Sequence, residues 1–167
     1  NGILTAQITP QGGLVSGSSS VMKLDGWNWE DTLLSADGAM HMHWPARTQR
    51  QRNEISGQFE TVDNEDYANQ VQVLHALFQD AITYTGSPVN LNLAAMQNVL
   101  SGEAKLFIHA NDARDIVNSV QFARDYEVPQ IVIVGGRDAM KVKDLLLQES
   151  VAVIYESVHG LPAQSWY

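Results

Sequence analysis

From Lys105 onward the apolar and polar positions fall into repeating blocks. Leu106, Phe107 and Ile108 form a short apolar run that ends in His109. Asn111 or Asp112 can cap the segment that follows, where Ala113, Ile116, Val117, Val120 and Ala123 recur at helical spacing. Residues 131–134 form a second apolar run, which ends in Gly135 and Gly136. Asp138 then precedes Ala139, Val142, Leu145 and Leu146, a second helical stripe, and 151–155 is a third apolar run. Short strands apolar on both faces, separated by amphipathic helices, predict parallel βαβ units with helices covering the sheet.

The first hundred residues are less regular. Residues 3–9 alternate weakly and read as a strand, and 20–24 reads as another. Between them "PQGGLVSGSSS" is rich in Gly and Ser and reads as a long loop. "WNWEDTLLSADG" predicts a short helix closed at Asp37-Gly38, with Glu30 and Asp31 suiting its first turn. "AMHMHWP" alternates and stops at Pro45, which predicts a strand over 38–44. The polar stretch 46–63 carries Arg47, Arg50 and Arg52 and reads as an exposed insertion, with the arginines on a solvated face. Tyr67, Val71, Leu74, Phe78 and Ile82 mark one face of a helix capped by Asp63 or Asn64. Leu93, Met96 and Leu100 mark another, ended by Gly102.

Composition narrows the function classes. The 167 residues suffice for one ordinary domain. A net charge of −9 argues against a nucleic-acid partner, which would need clustered Lys and Arg. No apolar run approaches the roughly 20 residues of a membrane span. With no cysteine, disulfides and thiolate metal sites are excluded, and the redox compartment stays open. Both ends of the chain look cut, and a piece of a longer chain is expected. Localisation is undecided.

In parallel α/β folds the working groups sit at the C-terminal ends of strands. His109 holds that position, as do Gly135, Gly136 and, past the next strand, Glu156 and His159. His41 and His43 end an earlier strand. Residues i and i+2 share a face there, so both imidazoles can meet one ion or a substrate. The alternative is packing beside Trp44, with one ring at the rim. Gly135-Gly136 before Arg137-Asp138 either lets a ligand approach a helix N-terminus or makes a tight turn. No G-x-G-x-x-G fingerprint or P-loop is present. No Ser-His-Asp arrangement follows from spacing.

Five stretches in order resemble one family: "GILTAQITPQGGLVSGSSSVMKLDGWNWEDTLL", "AMHMHWP", "SGEAKLFIHANDARDIVNSVQFARDY", "IVIVGGRDA" and "VAVIYESVHGLP". Together they are similar to bacterial metal-dependent amidohydrolases of the imidazolonepropionase-like branch. The resemblance implies a parallel (β/α)8 barrel of the TIM type, incomplete here, of which this chain would be the central part, about strands two to seven. It implies hydrolysis of C–N bonds in amides, cyclic amides or dipeptides, with zinc or another divalent metal in the parent protein. "LFIHAND" is similar to the family's fifth strand, so His109 is similar to a metal ligand there, with Asp112 expected to orient it. The segments 10–20 and 156–162 are expected to line the substrate mouth, with Gly12, Gly13, Ser16, Gly135, Gly136, Arg137, Glu156 and His159 as lining residues.

The chain departs from the family pattern at three places. "QIVIVGG" offers glycine where the sixth strand should carry His. "MHMHW" follows the Gly-Ser segment where the third strand falls, so His41 and His43 are not expected to be the first-strand ligand pair. The eighth-strand Asp that serves as base is absent, and no catalytic base is assigned. The isolated chain is therefore expected to be inactive even with zinc added, and whether it holds an ion of its own stays open. It is expected to associate with itself or with the missing barrel segments, and to meet a small amide or peptide substrate only within its parent. The other reading of the same βαβ units is a non-catalytic, flavodoxin-like binding or regulatory domain.

Overall fold

A computed structural model describes residues 2–54 and 57–156. Its main sheet has six strands in the order β1-β2-β3-β6-β7-β8. They are β1 Thr5–Ile8, β2 Val15–Lys23, β3 Leu33–His43, β6 Lys105–Ala110, β7 Ile131–Gly135 and β8 Ala152–Tyr155. A separate antiparallel hairpin joins β4 Thr48–Arg52 to β5 Phe59–Asp63 and lies almost wholly exposed. The helices are α1 Trp29–Thr32, α2 Tyr67–Thr83, α3 Leu91–Ser101, α4 Ala113–Asp125 and α5 Lys143–Gln148, the last preceded by a 3-10 turn at Ala139–Val142.

The expected parallel units are present. β3, β6, β7 and β8 pair in parallel, one after another. Their order never reverses, and the sheet curls into a half-barrel. The start of the chain differs from expectation. β1–β2 and β2–β3 are antiparallel, so the parallel portion covers four of the six strands.

Two local readings are corrected. The Gly-Ser stretch is not a loop beyond residue 14, because β2 begins at Val15. Two of its small residues have structural reasons: Ser19 bonds His41 Nε2 across the ladder, and Gly17 takes φ 116, in the left-handed region that favours glycine. The helix expected through Asp37-Gly38 is only one turn long, and β3 starts at Leu33. Asp37 has φ 48, and the β2–β3 register shifts nearby, between Ser19 and Met22, so the Asp-Gly pair sits within a bulged strand.

Alternation along the strands sorts the side chains. Met40, Met42, Leu106, Ile108, Ile131 and Ile133 join the large core on one face. There they meet Leu74 and Phe78 of α2, Met96 and Val99 of α3, and Ile116, Val120, Phe122 and Ala123 of α4. Val117, expected in that stripe, and Ile82 on α2 are instead exposed. The opposite face carries His41, His43, Phe107, His109, Val132 and Val134, paired across β3, β6 and β7. Only a small cluster of Ala39, Phe107, Val132 and Val134 is packed there. Helices therefore cover one side and leave the histidines on the other.

The connections hold the strand ends in place. Asp112 caps α4 by accepting from the Arg114 amide at 3.0 Å. Gly102 ends α3 with φ 82, as its position predicts. The cap of α2 is Asp66 rather than Asp63 or Asn64, and it makes no side-chain cap bond. Arg124 ties the end of α4 to the turn before β8, with Nε 3.0 Å from Glu149 Oε2 and further bonds to the Val128 and Glu149 carbonyls.

Candidate functional site

β3 and β6 are neighbours in register, with His43 opposite His109 and His41 opposite Phe107. That register brings three imidazoles together at the C-terminal ends of two parallel strands. His41 Nδ1 lies 2.9 Å from His109 Nε2. The His43 ring stacks on His109, with centroids 4.2 Å apart and planes 19° apart. His41 Nε2 lies 2.8 Å from Ser19 Oγ, which in turn accepts from Gln7 Nε2 at 2.8 Å and reaches the Ala39 carbonyl at 3.4 Å. A hydrogen-bonded line thus runs from β1 through β2 and β3 to β6.

Two proton arrangements satisfy these distances, and a Ser19 hydroxyl that donates to Ala39 goes with the following one. With Gln7 donating to Ser19, and Ser19 donating to Ala39, the serine oxygen accepts from His41 Nε2–H. His41 Nδ1 then accepts from His109 Nε2–H. This leaves a lone pair on His109 Nδ1, which faces Glu156 Oε1 at 3.9 Å. Ser19 and His41 are both almost fully buried, so each of these bonds replaces a lost contact with water. Changing Ser19 to alanine leaves the His41 donor buried without an acceptor. The expected cost is about 1–3 kcal/mol, read as a lower denaturation midpoint at unchanged slope; an unchanged midpoint would show that the line contributes nothing.

Burial and neighbouring imidazoles keep His41 and His109 neutral. The His109 pKa is lowered to about 4, first by burial and then by the neighbouring His43 and His41. That of His41 is lowered too, by burial and then by His43. At neutral pH both imidazoles carry lone pairs rather than charge.

Beside His109 opens a cleft of about 460 Å³. Trp44 and Arg47 border it after β3, Asn111, Asp112, Arg114 and Asp115 at the start of α4, and Arg137 after β7. Asp115 is buried, and its Oδ1 has no hydrogen-bond donor among the described residues. Burial raises its pKa, helped by Asp112, while Arg47 pulls the other way.

The expected lining residues scatter. His109 and Arg137 border the cleft. Glu156 lies at the far side of His109. Gly12 and Gly13 sit in the exposed turn before β2, away from it. Ser16 is on β2, its hydroxyl buried and unpaired. Gly135 has φ 94, and a Cβ there would meet Asn111 Oδ1 at 2.7 Å; the equivalent atom at Gly136 would meet Val153 at 2.8 Å. Packing by itself requires both glycines. Asp112, expected to orient His109, spends its carboxylate on the α4 cap. His159 lies outside the described residues. Sequence reasoning missed Gln7, Ser19 and Asp115. The period-two placement of Gln7 and Ser19 was the available signal, hidden once the Gly-Ser stretch was read as a loop.

A metal centre needs several lone pairs aimed at one point. His41 spends both nitrogens, on His109 and on Ser19, and His109 spends Nε2 on His41. Among the described residues no group of three or more His, Asp or Glu is arranged to hold an ion. These residues do not fit a complete metal centre, and no chemical step is derived through one. No described helix is long and apolar enough to cross a membrane.

No protein-family profile matches the chain, and no curated protein matches it. Among solved structures, the chain is similar to an amidohydrolase from Thermotoga maritima, with a TM-score of 0.78 and 17% identity over 98% of this chain and 44% of that one. The likeness is one of fold: a mixed α/β half-barrel of the amidohydrolase kind. The chain spans less than half the length of that protein.

Proposed function

We propose that this chain is part of a hydrolase acting on C–N bonds in amides, cyclic amides or dipeptides. The observation that carries the reading is the meeting of His41, His43 and His109 at the C-terminal ends of adjacent parallel strands, beside an open cleft. The fold likeness to an amidohydrolase supports it. The strand order supports it against a flavodoxin-like domain, whose doubly wound sheet reverses direction at its binding crevice.

In this reading His109 is the working histidine. Its free Nδ1 lone pair serves as a ligand or proton acceptor, and the line through His41, Ser19 and Gln7 holds its ring. Zinc or another divalent cation belongs to the longer protein, with its other ligands drawn from outside the described residues. His41 and His43 are not joint ligands of one ion, because His41 has no free nitrogen. Imidazolonepropionase-like character belongs to this proposal as well.

The isolated chain should then be inactive. With zinc added, it is expected to show no turnover of a panel of dipeptides and cyclic amides. Turnover above background that disappears in His109→Ala would overturn that expectation. Among the described residues the outer edges of β1 and β8 have no strand partner, and half-exposed Ile154 and Tyr155 lie on β8. Such edges invite pairing with another strand. Light scattering should show a mass above one chain that rises with concentration; a constant single-chain mass would mean that the edges are covered from within.

A further inference from the structure

Three of the chain's six arginines, Arg47, Arg114 and Arg137, border the cleft beside His109, although the whole chain carries a net charge of −9. Among the described residues none of the three guanidiniums makes a hydrogen bond. Arg47 lies over the Tyr67 ring at 5.0 Å, and its Nε is 3.7 Å from Asp115 Oδ1, too far for a hydrogen bond. Arg137 Nε is 3.9 Å from Asp138. The Arg114 side chain makes no hydrogen bond or ion pair among the described residues. Arg124, away from the cleft, shows the contrast: its guanidinium is occupied by one carboxylate oxygen and two carbonyls. Arginine forks left open around a concavity are donors waiting for an acceptor, and a planar guanidinium matches a carboxylate with two parallel bonds.

We propose that this cleft binds the free carboxylate of a small molecule, held by Arg47 and Arg137, with the rest of the ligand lying toward His109. The size agrees, because about 460 Å³ holds a compound of amino-acid or dipeptide size. The charge chooses a carboxylate over a phosphate. Among the residues lining the cleft, three guanidiniums meet the carboxylates of Asp112 and Asp115, an excess of one positive charge that a monoanion neutralises and a dianion exceeds; Asp138 beside Arg137 is already met by Lys141 at 3.1 Å. Arg47 is partly fixed beforehand by Tyr67 and Asp115, which lowers the ordering cost of binding. The inference goes beyond the proposed hydrolysis and does not depend on it, because binding needs no turnover.

The test is calorimetric titration of the 167-residue chain with N-acetylglycine, N-acetylglycinamide and inorganic phosphate. N-acetylglycine should bind at least tenfold more tightly than the neutral amide and than phosphate. Arg47→Gln and Arg137→Gln should each weaken N-acetylglycine by about tenfold or more, the scale of one lost charge-assisted pair. Arg52→Gln, on the hairpin, should leave it unchanged, and circular dichroism of each variant checks that the fold persists. Equal affinity for the acid and its amide, tighter binding of phosphate, no binding of N-acetylglycine, or insensitivity to both cleft substitutions would each overturn the proposal.

Discussion

Phe78→Ala is expected to cost about 3–5 kcal/mol, the range for removing a fully buried aromatic from a core. Phe78 is fully buried on α2. Its ring stands edge-on to Phe122 of α4 with centroids 5.0 Å apart, and lies 5.0 Å from Tyr126 just beyond that helix. Phe122 continues the contact to Trp44 at 5.3 Å, at the foot of the cleft. Offset and edge-on ring pairs add to the area they bury, so alanine loses contacts on several sides at once. α2 has few other fully buried anchors, chiefly Leu74 and Ala81. Chemical denaturation should show the midpoint falling at constant slope. A loss under 1 kcal/mol would mean that α2 is not seated on α4 as described.

Acid should weaken the fold through the histidine cluster. The folded protein holds His109 near a pKa of about 4, whereas an unfolded histidine titrates near 6.5. The unfolded chain therefore takes up a proton that the folded chain refuses. The stabilisation from a neutral His109 is complete above pH 6.5 and is lost as pH falls toward 4. About 2–3 kcal/mol is at stake across that window, and His41 shifts in the same direction. Carboxylates elsewhere also titrate there, so the comparison is between the wild type and His109→Gln. Melting temperatures at pH 7 and pH 4.5 should differ more in the wild type than in the variant. Equal differences would show that His109 is not held neutral by its surroundings.

Where one physical signal dominated, the sequence was legible. Residues 105–155 read correctly as strand, helix, strand, helix, strand because their strands are apolar on both faces and their helices show clear stripes. The α4 cap is narrowed to Asn111 or Asp112, and Gly102 is placed at the end of α3, because capping is local chemistry. The beginning misled because its strands answer to neighbours distant in sequence. β2 carries Ser19 as a partner of His41 across the ladder, and no local propensity records that need. Asp37-Gly38 looked like a helix end because the same pair also serves a bulge. In the site, the rim position of His109 could be read from its place after "KLFI". The bond between His41 and His109 depends on the register of strands 68 residues apart, which periodicity does not reveal. The arginine-lined cleft was hidden for a similar reason. Arg47 was read as part of a solvated face, and it gains Asp115 and Tyr67 as neighbours only once α2 and α4 fold back over the sheet.

The central proposal is that His109 is the working histidine of a longer protein that hydrolyses C–N bonds. The most direct measurement is kcat/KM for amide and dipeptide hydrolysis by the longer protein of the proposal, with and without His109→Ala. The account predicts measurable turnover that falls by at least about a hundredfold in the variant, as expected when a ligand or proton-transfer group is removed. Turnover that survives the substitution within a fewfold would contradict it.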